Sequence, residues 1–349
     1  PKNDGNPNLH YLEQAIQSIG KHCSVKRQIT VFIKSTVMVG ANEYAKNYYE
    51  TFFGIKNNLI FASNPEFLKE GNAVKDFKEP DRIIIGTNSQ DVRNLAAKIY
   101  KKFSRGGSIL QFTSIESAEL IKYASNAFLA TKISFINEIA LLSDKVGADI
   151  NEIQRGMGSD SRIGNKFLNA GLGFGGSCFP KDLDGLIKNY EKVGLKSEIA
   201  SAAKRVNERQ MDYFFKKIIK TQNINKLNVM IWGLSFKPET DDVRESVGIK
   251  LVKKLSKLTH AIYAYDPIAT DNARIELKLF KNIKFLSHQY EKIEECDILI
   301  LCTDWAQFNK PSIKELRKLK LKTIFDGRNY LDSANLKANN IKYIGIGKR

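Results

Sequence analysis

The stretch NAGLGFGGSCFPKDLDG, residues 169 to 185, sets Cys178 behind a run of glycines with Pro180, Lys181 and Asp182 directly after it. A thiol acts as a nucleophile in its thiolate form, and a nearby cation favours that form. Lys181 and Asp182 would lie one helical turn on, and the glycines remove side chains that would shield the sulfur. A plainer reading stays open, because a lone cysteine also serves as a small buried hydrophobe. Gly171, Gly173 and Gly176 have the G-x-G-x-x-G spacing of a dinucleotide loop, which needs a strand before it and a helix opening at its end. No strand precedes them and Pro180 is expected to interrupt the next segment, so we read these glycines as backbone that approaches a ligand closely.

Three further sets of residues could do chemistry. In AELIKYASNAF, Lys122 and Asn126 are four residues apart, so on a helix both project from one face and can converge on one oxygen. An ammonium and an amide aimed at one point suit a developing alkoxide or oxyanion, although a solvated helix face supplies such pairs freely. In SNPEFLKEG, Glu66 and Glu70 are also four apart. They read either as carboxylates at the carboxyl end of a strand, where ligands bind in open sheets, or as exposed acids at a helix start. In GLSFKPETDDVRESVG, Lys237 and Arg244 flank an acidic loop; the cations suit a diphosphate or an ordinary loop salt bridge.

These residues must be positioned by an α/β scaffold. Helices near 8–20, 40–51 and 89–103 alternate with strands QITVFIKST, NLIFAS, DRIIIG and SILQF. A helical middle comes next, from Ser114 to about Val146 and again over 197–222. After Asn223 the alternation restarts with LNVMIWG, SVGIKLVKKLSKL, HAIYAYDP, CDILILCT and KTIFDG, a second nucleotide-binding-like sheet. Asp266 lies 33 residues after Gly233, a long spacing for a ribose-binding acid. The expected division is 1–112, 113–222 and 223–349.

The bulk numbers bound the class. With 349 residues and 42% hydrophobic residues, a soluble globular protein of two or three domains is expected. Cys23, Cys178, Cys296 and Cys302 form no C-x-x-C pair and the four histidines are scattered. No metal site or disulfide framework is expected, and a reducing cytoplasm is the simplest location. The formal charge of +17 is spread along the chain, which points to a surface that attracts a small anion and away from a nucleic-acid partner. No apolar run reaches a membrane span, so no membrane association is expected.

Taken together, KSTVMVG, SNPEFLKEGNAVKDFKEPDRIIIG, AELIKYASNAFLATKISFINEIA, RIGNKFLNAGLGFGGSCFPKD, GLSFKPETDDVRES and FDGRNYLD resemble, in order, the UDP-glucose 6-dehydrogenases. The resemblance implies two Rossmann-like doubly wound sheets joined by a helical layer with a long connecting helix. It implies oxidation of a sugar C6 alcohol to a carboxylate with NAD and water, through a thiohemiacetal and a thioester on Cys178. By resemblance Lys122 and Asn126 stabilise the oxyanions, Asp182 assists with proton handling, Glu66 serves thioester hydrolysis and Thr36 lies near the reacting alcohol and the cofactor. Glu70, Lys181 and Arg244 are similar to cofactor contacts. Phe67, Leu68, Asn169, Ala170, Gly171, Leu172, Gly173, Gly175, Phe236, Lys237 and Arg328 are similar to residues that line the UDP-sugar. Arg162 resembles an arginine supplied by a partner subunit, and a homodimer through the middle helices is expected.

Two departures stand out. Met38 occupies the place of a proline in STVPVG, which changes loop stiffness more than chemistry. The glycine-rich strand-turn-helix that would hold the NAD pyrophosphate is not in this sequence; the family would place it before Pro1, within opening βαβ units. The alternatives are a UDP-N-acetylhexosamine 6-dehydrogenase and a fragment that only binds the UDP-sugar.

Overall fold

A computed structural model describes residues 9–23, 27–56, 58–104 and 109–348. The chain divides into two compact units, one running as far as Ala127 and including Lys181–Ser197, the other comprising Phe128–Pro180 and Glu198 onward.

The first unit alternates helix and strand: α1 (His10–His22), β1 (Ile29–Ile33), α2 (Ala41–Phe53), β2 (Leu59–Ser63), α3 (Ala73–Lys78), β3 (Arg82–Gly86), α4 (Gln90–Ser104) and β4 (Ile109–Thr113). The strands pair in the order β1-β2-β3-β4. Both β1/β2 and β3/β4 are parallel, while β2 and β3 touch antiparallel at Ser63 and Gly86. Glycines punctuate α2: Gly40 precedes it at φ 89° and Gly54 comes after it at φ 64°, a left-handed conformation that side chains resist. Ile16, Ala45, Tyr49, Leu59 and Phe61 form one core cluster, and Ile83, Ile85 and Ala96 another.

A 32-residue helix, α5 (Ile115–Val146), comes next, then α6 (Ile150–Gly158), α7 (Phe179–Lys192) and α8 (Glu198–Thr221). Neither α6 nor α7 was expected from the sequence. Asp149 caps α6 by accepting from the Asn151 N–H at 2.7 Å. Pro180 does not interrupt the chain; it occupies the first turn of α7, where its missing N–H has no intrahelical partner to lose.

The second unit holds β5 (Asn228–Trp232), α9 (Val247–Leu255), β6 (Ala261–Tyr265), α10 (Thr270–Glu276), β7 (Ile283–Phe285), β8 (Ile298–Leu301), α11 (Ile313–Leu316), β9 (Thr323–Asp326), α12 (Ser333–Ala338) and β10 (Lys342–Ile344). They build a parallel sheet in the order β10-β9-β8-β5-β6-β7. Alternate residues enter opposite cores: Val229, Ile231, Ile298 and Ile300 face one cluster, Met230, Trp232, Leu299 and Leu301 the other. Burial on both faces explains the near-continuous apolar runs of these strands. No helix among the described residues is long and apolar enough to cross a membrane.

Candidate active site

In the first unit, α5 presents Lys122 and Asn126 as their spacing required. Lys122 is 4% exposed. Its Nζ lies 3.5 Å from Glu66 Oε1 and 5.3 Å from the centroid of the Phe67 ring. The Arg82 guanidinium lies over the same ring, at 3.9 Å. Asn126 Nδ2 donates to Asp182 Oδ2 at 2.5 Å. Asp182 is 1% exposed; its Oδ1 has no hydrogen-bond partner and lies 3.4 Å from Lys181 Nζ. A buried carboxylate with one oxygen unspent is a group that can still take a proton or orient a water. Burial, with Asp182 and Glu119 adding to it, pushes the Tyr123 hydroxyl well above the usual tyrosine range.

Glu66 and Glu70 do not stand on a helix. The segment between β2 and α3 is a loop because its donors go to side chains: Leu68 N–H donates to Glu66 Oε2 at 2.7 Å and Lys69 N–H to Asp76 Oδ2 at 2.8 Å. The loop opens on a cleft of about 340 Å³ whose lining includes Lys34, Glu66, Phe67, Arg82 and Tyr100. Burial pulls the Lys34 ammonium down from its ordinary value, opposed by Glu66. Thr36 is half-buried beyond the carboxyl end of β1. A hydroxyl thus lies beyond the carboxyl end of β1 and carboxylates, which accept hydrogen bonds, beyond that of β2.

In the second unit, residues 171–176 are buried and their backbone is spent on the protein itself. Gly171 donates its N–H to Asn137 Oδ1 and accepts from Gln210 Nε2, both at 2.8 Å. Phe174 exchanges both of its backbone groups with the Asn207 amide, at 2.8 and 3.0 Å. A Cβ on Gly175 would sit 2.1 Å from the Glu245 oxygen, and one on Gly176 2.5 Å from the Phe236 ring. The close approach that the glycines permit is therefore to the chain's own loops. Phe174 and Phe167 pack on Phe179, at 5.7 and 6.1 Å between ring centroids, and so hold the first residue of α7. Cys178, one residue earlier, is exposed. Cys296 and Cys302 are buried, which pushes each thiol up to about 12.

The other candidates from the sequence are mostly engaged within the protein. Arg328 spends its guanidinium on three carbonyls, those of Cys302 at 2.7 Å, Gly173 at 3.3 Å and Phe236 at 3.4 Å. Lys237 Nζ lies 5.5 Å from the Phe236 centroid. Arg244 forms a two-pronged pair with Asp242, and Arg162, largely exposed, pairs in the same way with Asp160. Asn169 accepts from Gln154 at 2.6 Å. Asp266, whose spacing from Gly233 was already long for a ribose-binding acid, is 2% exposed and accepts from the N–H groups of Leu234, Ser235, Ile268 and Ala269, from the Ser235 hydroxyl and from the Trp305 indole. It is a staple between loops, unavailable to a ribose.

Sequence reasoning missed the side chains that hold these groups. Asn137, Asn207 and Gln210 are polar residues at core-facing positions of α5 and α8, an oddity that was visible in the pattern. Glu119, 2% exposed on α5, was missed in the same way. Among the described residues, no three His, Cys, Asp or Glu side chains gather as metal ligands.

The chain matches the UDP-glucose/GDP-mannose dehydrogenase family in three parts: its NAD binding domain over residues 1–104, its central domain over 116–209 and its UDP binding domain over 230–333. It is 40% identical to a UDP-glucose 6-dehydrogenase of Bacillus subtilis, across 100% of this chain and 78% of that protein. Among solved structures it is similar to a UDP-glucose dehydrogenase of Pyrobaculum islandicum, with a TM-score of 0.88, 34% identity and coverage of 100% of this chain and 78% of that one. A UDP-D-ManNAc dehydrogenase of Pyrococcus horikoshii is similar at a TM-score of 0.85 and 25% identity, covering 100% of this chain and 79% of that one.

Proposed function

Because this chain belongs to the UDP-glucose/GDP-mannose dehydrogenase family, we propose that it oxidises the C6 alcohol of UDP-glucose to the carboxylate of UDP-glucuronate. NAD is the cofactor of the family's first domain, and it accepts a hydride at each of the two oxidations. One sugar nucleotide, two NAD and one water give the uronate, two NADH and three protons.

The chain's own residues do the rest. Once the alcohol has become an aldehyde, the Cys178 thiolate adds to the aldehyde carbon and the carbonyl oxygen takes a proton, giving a thiohemiacetal. Loss of a second hydride and of that proton gives a thioester, which water cleaves to the carboxylate and the free thiol. Lys122 and Asn126 hold the oxygen while it carries negative charge. Asp182 moves protons together with Lys122, Glu66 serves the hydrolysis, and Thr36 acts near the alcohol through a water. Glu70, Lys181 and Arg244 are assigned to the cofactor, and the loops around Phe67, Gly171 and Phe236 to the sugar nucleotide. On this reading residues 1–112 serve NAD, 113–222 the covalent chemistry and 223–349 the UDP.

The observation that carries the proposal is an exposed thiol set directly before α7, the helix whose Asp182 is buried against Asn126. Incubation with UDP-glucose and NAD should release two NADH per uronate, and Cys178→Ala should form no uronate and release at most one NADH per sugar nucleotide consumed. Undiminished turnover in that variant overturns the covalent route. The likeness to the Pyrococcus enzyme makes UDP-N-acetylhexosamines the rival substrates, and preferential oxidation of one of them would move the assignment to that branch. Calorimetric binding of UDP-glucose without any NADH would support a binder alone.

We also infer a homodimer through α5, supported by its exposed Phe128, Phe135, Leu142 and Val146. These recur on one side of the helix, a pattern of interface apolar residues. In a dimer Arg162 would serve the neighbouring copy. Light scattering at the mass of one chain overturns this. A reduced catalytic thiol fits the cytoplasm.

A further inference from the structure

We propose that Glu119 is a positioning residue for Thr36: its buried carboxylate bolts the turn between β1 and α2 to the helix that carries Lys122 and Asn126. The inference rests on the assignment of Thr36 to the neighbourhood of the reacting alcohol.

Glu119 precedes Lys122 by three residues on α5. Its Oε2 accepts from the Gly40 N–H at 2.7 Å, and its Oε1 from the Asn42 N–H at 3.0 Å and from Asn42 Nδ2 at 2.7 Å. A carboxylate taken out of water is costly unless its lone pairs are met. Here three N–H donors meet them, two from backbone at the start of α2, where the helix dipole favours a negative charge. A second bolt lies beside the first. Val39 N–H donates to Asn189 Oδ1 at 3.2 Å, and Asn189 fixes itself by donating to the Gly185 carbonyl at 2.7 Å. Asn189 stands seven residues, two helical turns, after Asp182 on α7. The N–H groups of Val39, Gly40 and Asn42 are thus held by side chains from the two helices that carry Lys122, Asn126 and Asp182. Thr36 lies three residues before that turn, and Gly40 at φ 89° sets its direction. Packing alone needs no charge at position 119; orienting two converging backbone N–H groups needs an acceptor on both oxygens.

Glu119→Gln keeps the size of the side chain but turns one acceptor into a donor facing an N–H. In the substrate-free protein, deuterium uptake over residues 36–42 should become at least about tenfold faster, with β2 unchanged. With UDP-glucose and NAD, kcat should fall about tenfold at nearly constant KM, and the loss should vanish when Thr36→Ala is already present, because groups acting through one another are not additive. Glu119→Asp, which keeps both acceptors, should restore part of kcat, and melting temperatures of all variants establish that they fold. Unchanged uptake over 36–42 overturns the inference, as does a kcat loss that adds fully to that of Thr36→Ala. A wild-type protein that oxidises no sugar nucleotide sinks the functional assignment alone, and the uptake result then decides the bolt by itself.

Discussion

In residues 171–176 of the second unit, backbone meets amide side chains and neighbouring loops so closely that a methyl group at Gly175 would lie 2.1 Å from a carbonyl oxygen. On α5 and α7 of the first unit, charged side chains are buried instead: Lys122, Asp182 and Glu119 are each under 5% exposed. In the first case the sequence spends glycines to fix the shape of a buried turn packed on the chain's own loops. In the second it spends desolvation to hold charges where water cannot screen them. Shape tolerates little change in volume, whereas charge tolerates little change in chemistry, and the two regions should therefore fail differently.

The sharpest break is Cys178→Ser, which should cut kcat about 10⁴-fold or more while leaving the melting temperature near wild type, as for nucleophiles that act as part of a unit. Alkylation gives the next contrast. At pH 8 a thiol pushed up to about 12 is only about 10⁻⁴ thiolate, so mass spectrometry should find Cys178 modified and Cys296 and Cys302 intact. Equal labelling of the three would remove the basis for singling out Cys178. Lys122→Met, which deletes charge but keeps length, should lower kcat by about 10² to 10³ with a smaller effect on folding. Gly175→Ala should behave in the opposite way, destabilising the protein by about 1–3 kcal/mol through overpacking and weakening UDP binding in calorimetry. If Gly175→Ala lowers kcat at unchanged stability and UDP affinity, the distinction between shape and charge fails.

Much of this was legible in advance. The second unit's strands announced themselves, since a parallel strand buried on both faces must be apolar throughout, as ILIL at 298–301 is. The Lys122/Asn126 face was legible because helical spacing alone fixes it. The start of α7 was not, because a proline reads as a break unless its place in the first turn is known. For Glu66 and Glu70 the spacing left a strand end and a helix start both open, and the structure has a loop after β2, because the carboxylates of Glu66 and Asp76 take the N–H groups that a helix would have used. Asp266 showed the limit most clearly: an acid after a strand looks the same in sequence whether it points at a ligand or, as here, at six donors of its own fold. The tertiary partners of Glu119, Asn137 and Gln210 are distant in sequence, so only their misfit with an apolar face could have flagged them.

The order of strands in the second sheet also governs how that unit comes into being. β5 pairs with β6, its successor, but its other edge waits for β8, which begins about seventy residues later along the chain. During synthesis the nascent half-sheet therefore carries an open, apolar edge until Ile298–Leu301 leaves the ribosome. Cellular yield should depend on how well that interval is guarded from aggregation.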